Sequence, residues 1–390
     1  MKPFSSFAQQ SGTIRYKRPA VASLLLLTAL GLSACGSGSD EEKTPAPAPT
    51  PPPPTVASSC AAFPQATGAS VTGSLSSTAT AGSTGPLTYS LVSQPGFGTL
   101  SLAASGGAWT YTPTTPARGY TDSFTWKVSD AAGGSSQATA SVIYGKRRIM
   151  PLGDSITQGV EAFDGNNDLP ADPLKIGYRK RLQELLSAGG YEADFVGSLQ
   201  NGTTAGIADP QHEGHSGFTA TQIDGSVSGW IASAKPDVVL LHIGTNDLNQ
   251  AFNQDPTPAN MTAAAQSAAT TVNTILGKIG TFAANAQNPP IGLVLATIVP
   301  QRAETGNTIT PTFNTNLGSL FNASWADAVN PNDRLRVRLA NMFSPINPAT
   351  DLTPPAQDVS GLHPNASGYQ KMAQVWYDKL VQEGLISRCP

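Results

Sequence analysis

The sequence predicts two folded parts in tandem: a small all-β sandwich, then a three-layer α/β/α domain on a parallel sheet. Two observations carry this. Between residues 60 and 145, apolar and polar residues alternate at period two, in short runs parted by Gly, Pro and Asp turns. From residue 147 onward, continuous apolar runs alternate with amphipathic stretches, the order that βαβ units require. A chain of 390 residues has room for both, with residues to spare for processing segments. A net charge of −3 and few lysines leave no basic footprint for nucleic acid, so that partner class is excluded.

Residues 1–34 read as an address. Arg15, Lys17 and Arg18 precede the apolar run VASLLLLTALGL, which is too short to span a bilayer as a stable helix and ends in small residues. Its end, Leu32-Ser33-Ala34-Cys35, resembles the lipobox of bacterial lipoproteins. That resemblance implies lipid on the Cys35 sulfur; the alternative is an ordinary cleaved signal with an incidental cysteine. Gly36, rather than an aspartate, follows, which in a Gram-negative host implies the outer membrane. The expected location is therefore the cell envelope or surface, with the membrane as a partner through Cys35. Residues 35–59 contain GSGSDEEK and TPAPAPTPPPPT and read as an extended, semi-rigid tether.

In the β part, residues 60–145, Leu87, Tyr89 and Leu91 point one way. Trp109 with Tyr111, and Phe124, Trp126 and Val128, repeat the pattern. Several short strands at this spacing argue for a sandwich whose aromatics form the core. The stretch GPLTYSLVSQPGFGTL…WTYTP…DSFTWKVSD resembles cadherin-like or bacterial immunoglobulin-like modules. Asp122 and Asp130 read as solvated turns rather than calcium ligands, since calcium needs six or more oxygens.

In the domain 147–390, RIMPL (148–152), ADFVGS (193–198), DVVLLHIG (237–244), IGLVLATIVP (291–300) and RLRVRLANM (334–342) read as strands. GYRKRLQELLSAGG (177–190) reads as a helix with Leu182, Leu185 and Leu186 on one face. Further helices are expected over 258–285, over 311–328 and across NASGYQKMAQVWYDKLVQEGLI (365–386). In such sheets, function gathers at the carboxyl ends of the strands.

Four stretches at those ends carry chemistry. GDSITQG places Ser155 at a strand-to-helix turn, where its own N–H meets the positive end of a helix; a serine cap is the plainer reading. HEGHSGFTA offers Gly217, whose N–H a bound oxyanion can approach closely; a plain turn is the alternative. His212 and His215 lack a third ligand at metal spacing, so zinc is not expected. GTND offers the Asn246 amide as a donor to developing negative charge, and His242 before it reads as a packed strand residue. DVSGLHPN places His363 just before the last helix, able to fold back over the serine.

In this order, each after a predicted strand, these stretches resemble the SGNH hydrolases, also called GDSL esterases, over nearly all of 147–385. The pieces PLGDSITQG, GYRKRL, DFVGS, HEGHSGFT, VVLLHIGTND and LHPNASGYQKMA are most similar to carbohydrate esterase family three, whose members deacetylate xylan. The resemblance implies a flavodoxin-like sheet. It also implies Ser155 as nucleophile, His363 as general base, and an oxyanion hole made of the Ser155 and Gly217 N–H groups and the Asn246 amide. No metal or organic cofactor is implied. The family's aspartate falls three residues before the histidine, where this chain has Ser360. Either Asp358 reaches the imidazole by another loop path, or the Ser360 hydroxyl or a backbone carbonyl orients it, or the site is impaired.

Cys60 and Cys389 remain as an even pair in an exported chain, so a disulfide between them is expected. The function expected is hydrolysis of O-acetyl or short acyl esters on a polysaccharide. The alternatives are a general esterase or lipase on small esters or lipids, and an inactive adhesion lipoprotein. The loop VEAFDGNNDLPADPLKIG after Gly159 is polar, with no apolar flap for a long acyl chain, which favours the carbohydrate.

Overall fold

The computed structural model describes residues 49–64, 68–82, 85–114, 119, 121–161, 175–302, 304–325 and 334–389. The leader with Cys35, most of the tether and the greater part of the polar loop after Gly159 lie outside the described residues.

Among the described residues, the β part has nine strands: β1 (Thr55–Val56), β2 (Ser59–Phe63), β3 (Val71–Ser74), β4 (Ala79–Thr80), β5 (Thr88–Ser93), β6 (Gly98–Leu102), β7 (Ala108–Pro113), β8 (Thr121–Ser129) and β9 (Ser135–Tyr144). One sheet runs β2-β9-β8-β5 and the other β3-β7-β6, with a small β1-β4 ladder beside them. Strand β1 already lies within 35–59, so the folded part starts inside the expected tether. The alternating residues close the core: Tyr89, Trp109, Tyr111, Phe124, Trp126 and Val128 are buried together, with Leu87 and Leu91 packed at the margin. The two aspartates are not solvated. Asp122 is buried and accepts the N–H groups of Gly96 (2.7 Å) and Phe97 (2.9 Å) and the Tyr111 hydroxyl (3.0 Å). Asp130 accepts from Ala132 and Gly134 in its own turn. Backbone donors in tight turns need an acceptor, and a short carboxylate supplies it.

Gly145 and Lys146 alone separate β9 from β10 (Arg147–Gly153), the first strand of the second sheet. There follow α1 (Ser155–Gln158), α2 (Gly177–Ala188), β11 (Ala193–Phe195), β12 (Leu199–Gln200), β13 (Gln211–Gly214), α3 (Ala220–Ala234), β14 (Val238–His242), α4 (Thr245–Gln254), α5 (Pro258–Ala284), β15 (Ile291–Ala296), α6 (Glu304–Ser324), β16 (Leu335–Ala340) and α7 (Ala366–Gln382). The sheet order is β12-β13-β10-β14-β15-β16, parallel except for the β12-β13 pair. Strand β11 pairs the start of β10 and β13 pairs its end.

Alternate residues of each central strand feed opposite cores. Val239 and Leu241 join Met150 and Leu152 under α3, α5 and α6. Val238 and Leu240 join Ile149 under α2 and α7, where Leu182, Leu186 and Trp376 are buried. A strand covered on both faces has no polar positions, which is why DVVLLHIG reads as continuous. Three elements depart from the expectation. QHEG is itself a strand, so the HEGHSG stretch begins inside β13 and runs on from its end, rather than from ADFVGS. Helix α4 begins inside GTND. Helix α6 starts at Glu304, with Pro311 inside it.

Disulfide bonding joins Cys60 to Cys389, so β2 of the sandwich and the end of the α/β part are covalently tied. Beside it, the buried Arg147 donates Nε to the Leu385 carbonyl (2.9 Å).

Candidate active site

Three neighbouring strands end at one level. Gly153 of β10 pairs Gly214 of β13 on one side and His242 of β14 on the other. The loops leaving those ends carry Ser155, Gly217 and Asn246, so the three stretches converge because the register makes them converge. The fourth group comes from the loop before α7, which Thr353 anchors by donating its N–H to the His363 carbonyl (2.9 Å).

Ser155 Oγ lies 2.9 Å from His363 Nε2, and His363 Nδ1 lies 3.0 Å from Asp358 Oδ2. Serine is 8% exposed, histidine 4% and aspartate 1%, so the line runs from the surface inward. The question left by the sequence is answered by the loop. Asp358 Oδ2 also accepts the backbone N–H groups of Leu362 (3.1 Å) and His363 (3.0 Å). Ser360 does not meet the ring; its N–H (3.0 Å) and its hydroxyl donate to Asp358 Oδ1. A five-residue reach is possible because Gly361 sits at φ +63°, a left-handed turn that its neighbours cannot easily take. The Arg302 guanidinium holds the loop from outside by donating to the Leu352 carbonyl (2.7 Å).

Burial would raise the Asp358 pKa, but the imidazole, the Ser360 hydroxyl and the backbone donors outweigh it and hold the carboxyl at about 2. An ionised Asp358 only accepts, so Nδ1 carries the ring hydrogen and Nε2 is left to accept from the serine hydroxyl.

Gly217 has φ +78°, and no protein atom lies within 4 Å of where a Cβ would be. The glycine is thus required by its backbone conformation rather than by crowding. Ser155 is the first residue of α1, where an N–H has no partner within its own helix. Asn246, in the first turn of α4, donates one Nδ2 hydrogen to the Phe218 carbonyl (3.0 Å), leaving the other free for a ligand.

Neither histidine of the HEGHSG stretch is poised for metal. His212 accepts the Gly214 N–H at Nδ1 (3.0 Å), and its Nε2 donates to Asn201 Oδ1 (2.8 Å). Its burial, with the Arg179 cation nearby, pushes its pKa down to about 2. His215 Nε2 meets Glu213 Oε1 at 2.7 Å. His242 is buried, as a packed strand residue is, and burial lowers its pKa to about 4.

Two residues escaped the sequence reading. Asp154, the middle letter of GDS, caps α1 by accepting the Ile156 N–H (3.0 Å), while its other oxygen is buried without a partner among the described residues. Full burial raises its pKa to about 7, against the opposing pull of the Ile156 N–H and the His363 ring. Arg179 of GYRKRL is buried and donates to the carbonyls of Thr157 (3.1 Å), Gln158 (2.9 Å) and Lys175 (2.6 Å), clamping the turn that carries Ser155. For Asp154 the signal was available: a charged residue inside a motif otherwise made of buried or half-buried positions.

Residues 149–376 match the family GDSL-like Lipase/Acylhydrolase, and residues 51–143 match the Bacterial Ig domain. A multidomain esterase of Ruminococcus flavefaciens is 28% identical over 260 residues, 60% of this chain and 28% of that protein. The chain thus spans well under half the length of that curated relative. A solved family 3 carbohydrate esterase of Clostridium thermocellum is 24% identical at a TM-score of 0.44, covering 62% of this chain and all of that one. An acetylxylan esterase of Geobacillus stearothermophilus is 15% identical at a TM-score of 0.38, covering 62% of this chain and 96% of that one. The family match takes in more than half of the chain, and the chain belongs to the GDSL-like lipase/acylhydrolase (SGNH) family, with a bacterial Ig domain ahead of the matched part.

Proposed function

We propose that the protein is a serine esterase that removes O-acetyl or other short acyl groups from carbohydrate through an acyl-enzyme on Ser155. The observation that carries the mechanism is the unbroken line Ser155 Oγ–His363 Nε2 (2.9 Å) and His363 Nδ1–Asp358 Oδ2 (3.0 Å).

A serine hydroxyl is a poor nucleophile at neutral pH, so His363 Nε2 takes its proton as Oγ attacks the ester carbonyl. The imidazolium so formed is met by the Asp358 carboxylate. The tetrahedral oxyanion is met by the N–H groups of Ser155 and Gly217 and the free Asn246 hydrogen; losing one such donor costs about 10²–10³ in rate. His363 then gives its proton to the leaving sugar oxygen. It next takes a proton from water, which hydrolyses the acyl-enzyme and returns the serine.

The carbohydrate part rests on the six sequence pieces similar to carbohydrate esterase family three and on the polar sequence after Gly159. Anchoring belongs to the same reading: lipid on Cys35 and the proline-rich tether hold the enzyme at the cell envelope. Incorporation of labelled palmitate into the wild type but not into Cys35→Ser tests the anchor.

The enzymatic proposal is tested by acetate release from acetylated xylan and from p-nitrophenyl acetate, with Ser155→Ala as control. Ser155-dependent release from both supports the carbohydrate esterase. Release from the small ester alone favours a general esterase, and release that survives Ser155→Ala overturns the mechanism.

A further inference from the structure

His215 and Glu213 take no part in the chemistry above, yet they lie at the end of β13 and in the turn that carries one of its three oxyanion donors, Gly217, and that holds a second, Asn246, through the Phe218 carbonyl. The Glu213 side chain is 1% exposed and is saturated by donors. It accepts the Ser198 N–H at Oε2 (2.8 Å), and at Oε1 both the Ser198 hydroxyl (2.6 Å) and His215 Nε2 (2.7 Å). The imidazole so held lies flat between two rings: Trp230 of α3 at 4.4 Å and 12°, and Phe218 at 4.8 Å and 21°.

The turn between the two residues is closed by the Phe218 N–H, which donates to the His215 carbonyl (3.2 Å). Its other end is fixed by the His215 N–H, which donates to Gly153 at the foot of the nucleophile turn (2.9 Å). Gly217 lies inside this turn. Phe218, the residue on which His215 stacks, offers the carbonyl that holds the Asn246 amide (3.0 Å). One chain of contacts therefore leads from a buried carboxylate through a clamped imidazole to both the Gly217 N–H and the free Asn246 hydrogen.

We infer that Glu213 and His215 are positioning residues for the oxyanion hole: the carboxylate and the Trp230–His215–Phe218 stack set the direction of the Gly217 and Asn246 donors. The inference rests on the proposed roles of Ser155, Gly217 and Asn246. Oxyanion donors act only when aimed at the oxygen of the transition state, and small misplacements lower kcat rather than substrate binding.

The test is a double-mutant cycle on p-nitrophenyl acetate in the full chain. His215→Gln keeps a donor for Glu213 and removes the flat ring. Its expected effect is a fall in kcat of about 10- to 100-fold, with KM within about twofold. In an Asn246→Ala background, the same change is expected to cost at least about threefold less than in the wild type, because one of the two donors it aims is already gone. Equal losses in the two backgrounds, or a lowered Tm with unchanged kcat, overturn the inference. Trp230→Leu removes the outer ring without touching Glu213; if His215→Gln fails to fold, this variant must show the same kcat-selective, Asn246-dependent loss, and a loss independent of Asn246 overturns the inference. Ser155→Ala separates the two levels. Activity that survives it sinks the site reading itself. An inactive Ser155→Ala beside a fully active His215→Gln sinks only the positioning role.

Discussion

Replacing Asp358 by asparagine separates the two services that the proposed mechanism gives this carboxylate. It orients the ring of His363, and its charge stabilises the imidazolium that forms when the serine is deprotonated. An asparagine can keep its oxygen at only one position. The Oδ2 position faces three N–H groups, from Leu362, from the His363 backbone and from the ring, whereas Oδ1 faces one N–H, that of Ser360, and the Ser360 hydroxyl, which can turn to accept. The amide oxygen therefore settles at Oδ2, Nδ1 keeps its hydrogen, and Nε2 still accepts from Ser155. What is lost is the charge. The fall of the Asp358 pKa from 3.8 to about 2 corresponds to roughly 2 kcal/mol of preference for the ionised form among its donors. On that scale Asp358→Asn lowers kcat by about 30- to 300-fold with KM within twofold. That is milder than the roughly 10⁴ seen where the amide also reverses the histidine tautomer. The assay is p-nitrophenyl acetate hydrolysis, with circular dichroism as a control on folding. A rate close to wild type would remove Asp358 from the mechanism. A loss as great as that of Asp358→Ala would refute the claim that the backbone donors fix the ring's tautomer.

Three further outcomes follow from other parts of the structure. Gly217→Ala folds, because no protein atom occupies the space of the new Cβ, but the left-handed backbone (φ +78°) costs it about 1 kcal/mol and kcat falls at least tenfold; an unchanged kcat removes the Gly217 N–H from the hole. Asp154→Asn keeps the cap on α1 and relieves a buried acid whose pKa is raised from 3.8 to about 7. Both states of the wild type are protonated below pH 3.8. Between there and pH 7 only the unfolded chain ionises, so wild-type stability declines with rising pH, and above pH 7 the cost is complete. Denaturant titrations then show the variant gaining about 3–5 kcal/mol on wild type between pH 4 and pH 8, and parallel curves contradict this. Cys60→Ser opens a loop of 329 residues in sequence separation and lowers stability by about 4–5 kcal/mol in oxidising buffer but not under reductant; equal melting in both buffers sinks the structural role.

Much of the fold was legible because the chain's own period stated it. The alternation through Phe124, Trp126 and Val128 marks a sheet with one buried face, and the unbroken VVLL of β14 marks one with two. The parts that were not legible owe their form to neighbours. QHEG is polar and short, and it is a strand because the end of β10 on one side and β12 on the other offer it ladders. Helix α4 has just two buried residues, Thr245 and Leu248, too few to write a period. Pro311 reads as a helix start, yet α6 runs on through it. At the site, the residue types and their order named Ser155, Gly217, Asn246 and His363 as the groups to look for. The partner of His363 was undecidable, because the reach of Asp358 depends on the left-handed turn at Gly361 and on which of two oxygens Ser360 occupies. The HEGH pair suggested metal by type alone; contacts with Glu213 and Asn201 are what commit each ring elsewhere.

The central claim is that Ser155 is the nucleophile and that His363 activates it. The most direct measurement is mass mapping after treatment with a fluorophosphonate, which is attacked by an activated serine and leaves a stable adduct. The account predicts a single adduct on Ser155 in the wild type, formed at least 100-fold more slowly in His363→Ala. An adduct on another residue, or none from a protein that still hydrolyses p-nitrophenyl acetate, would contradict it.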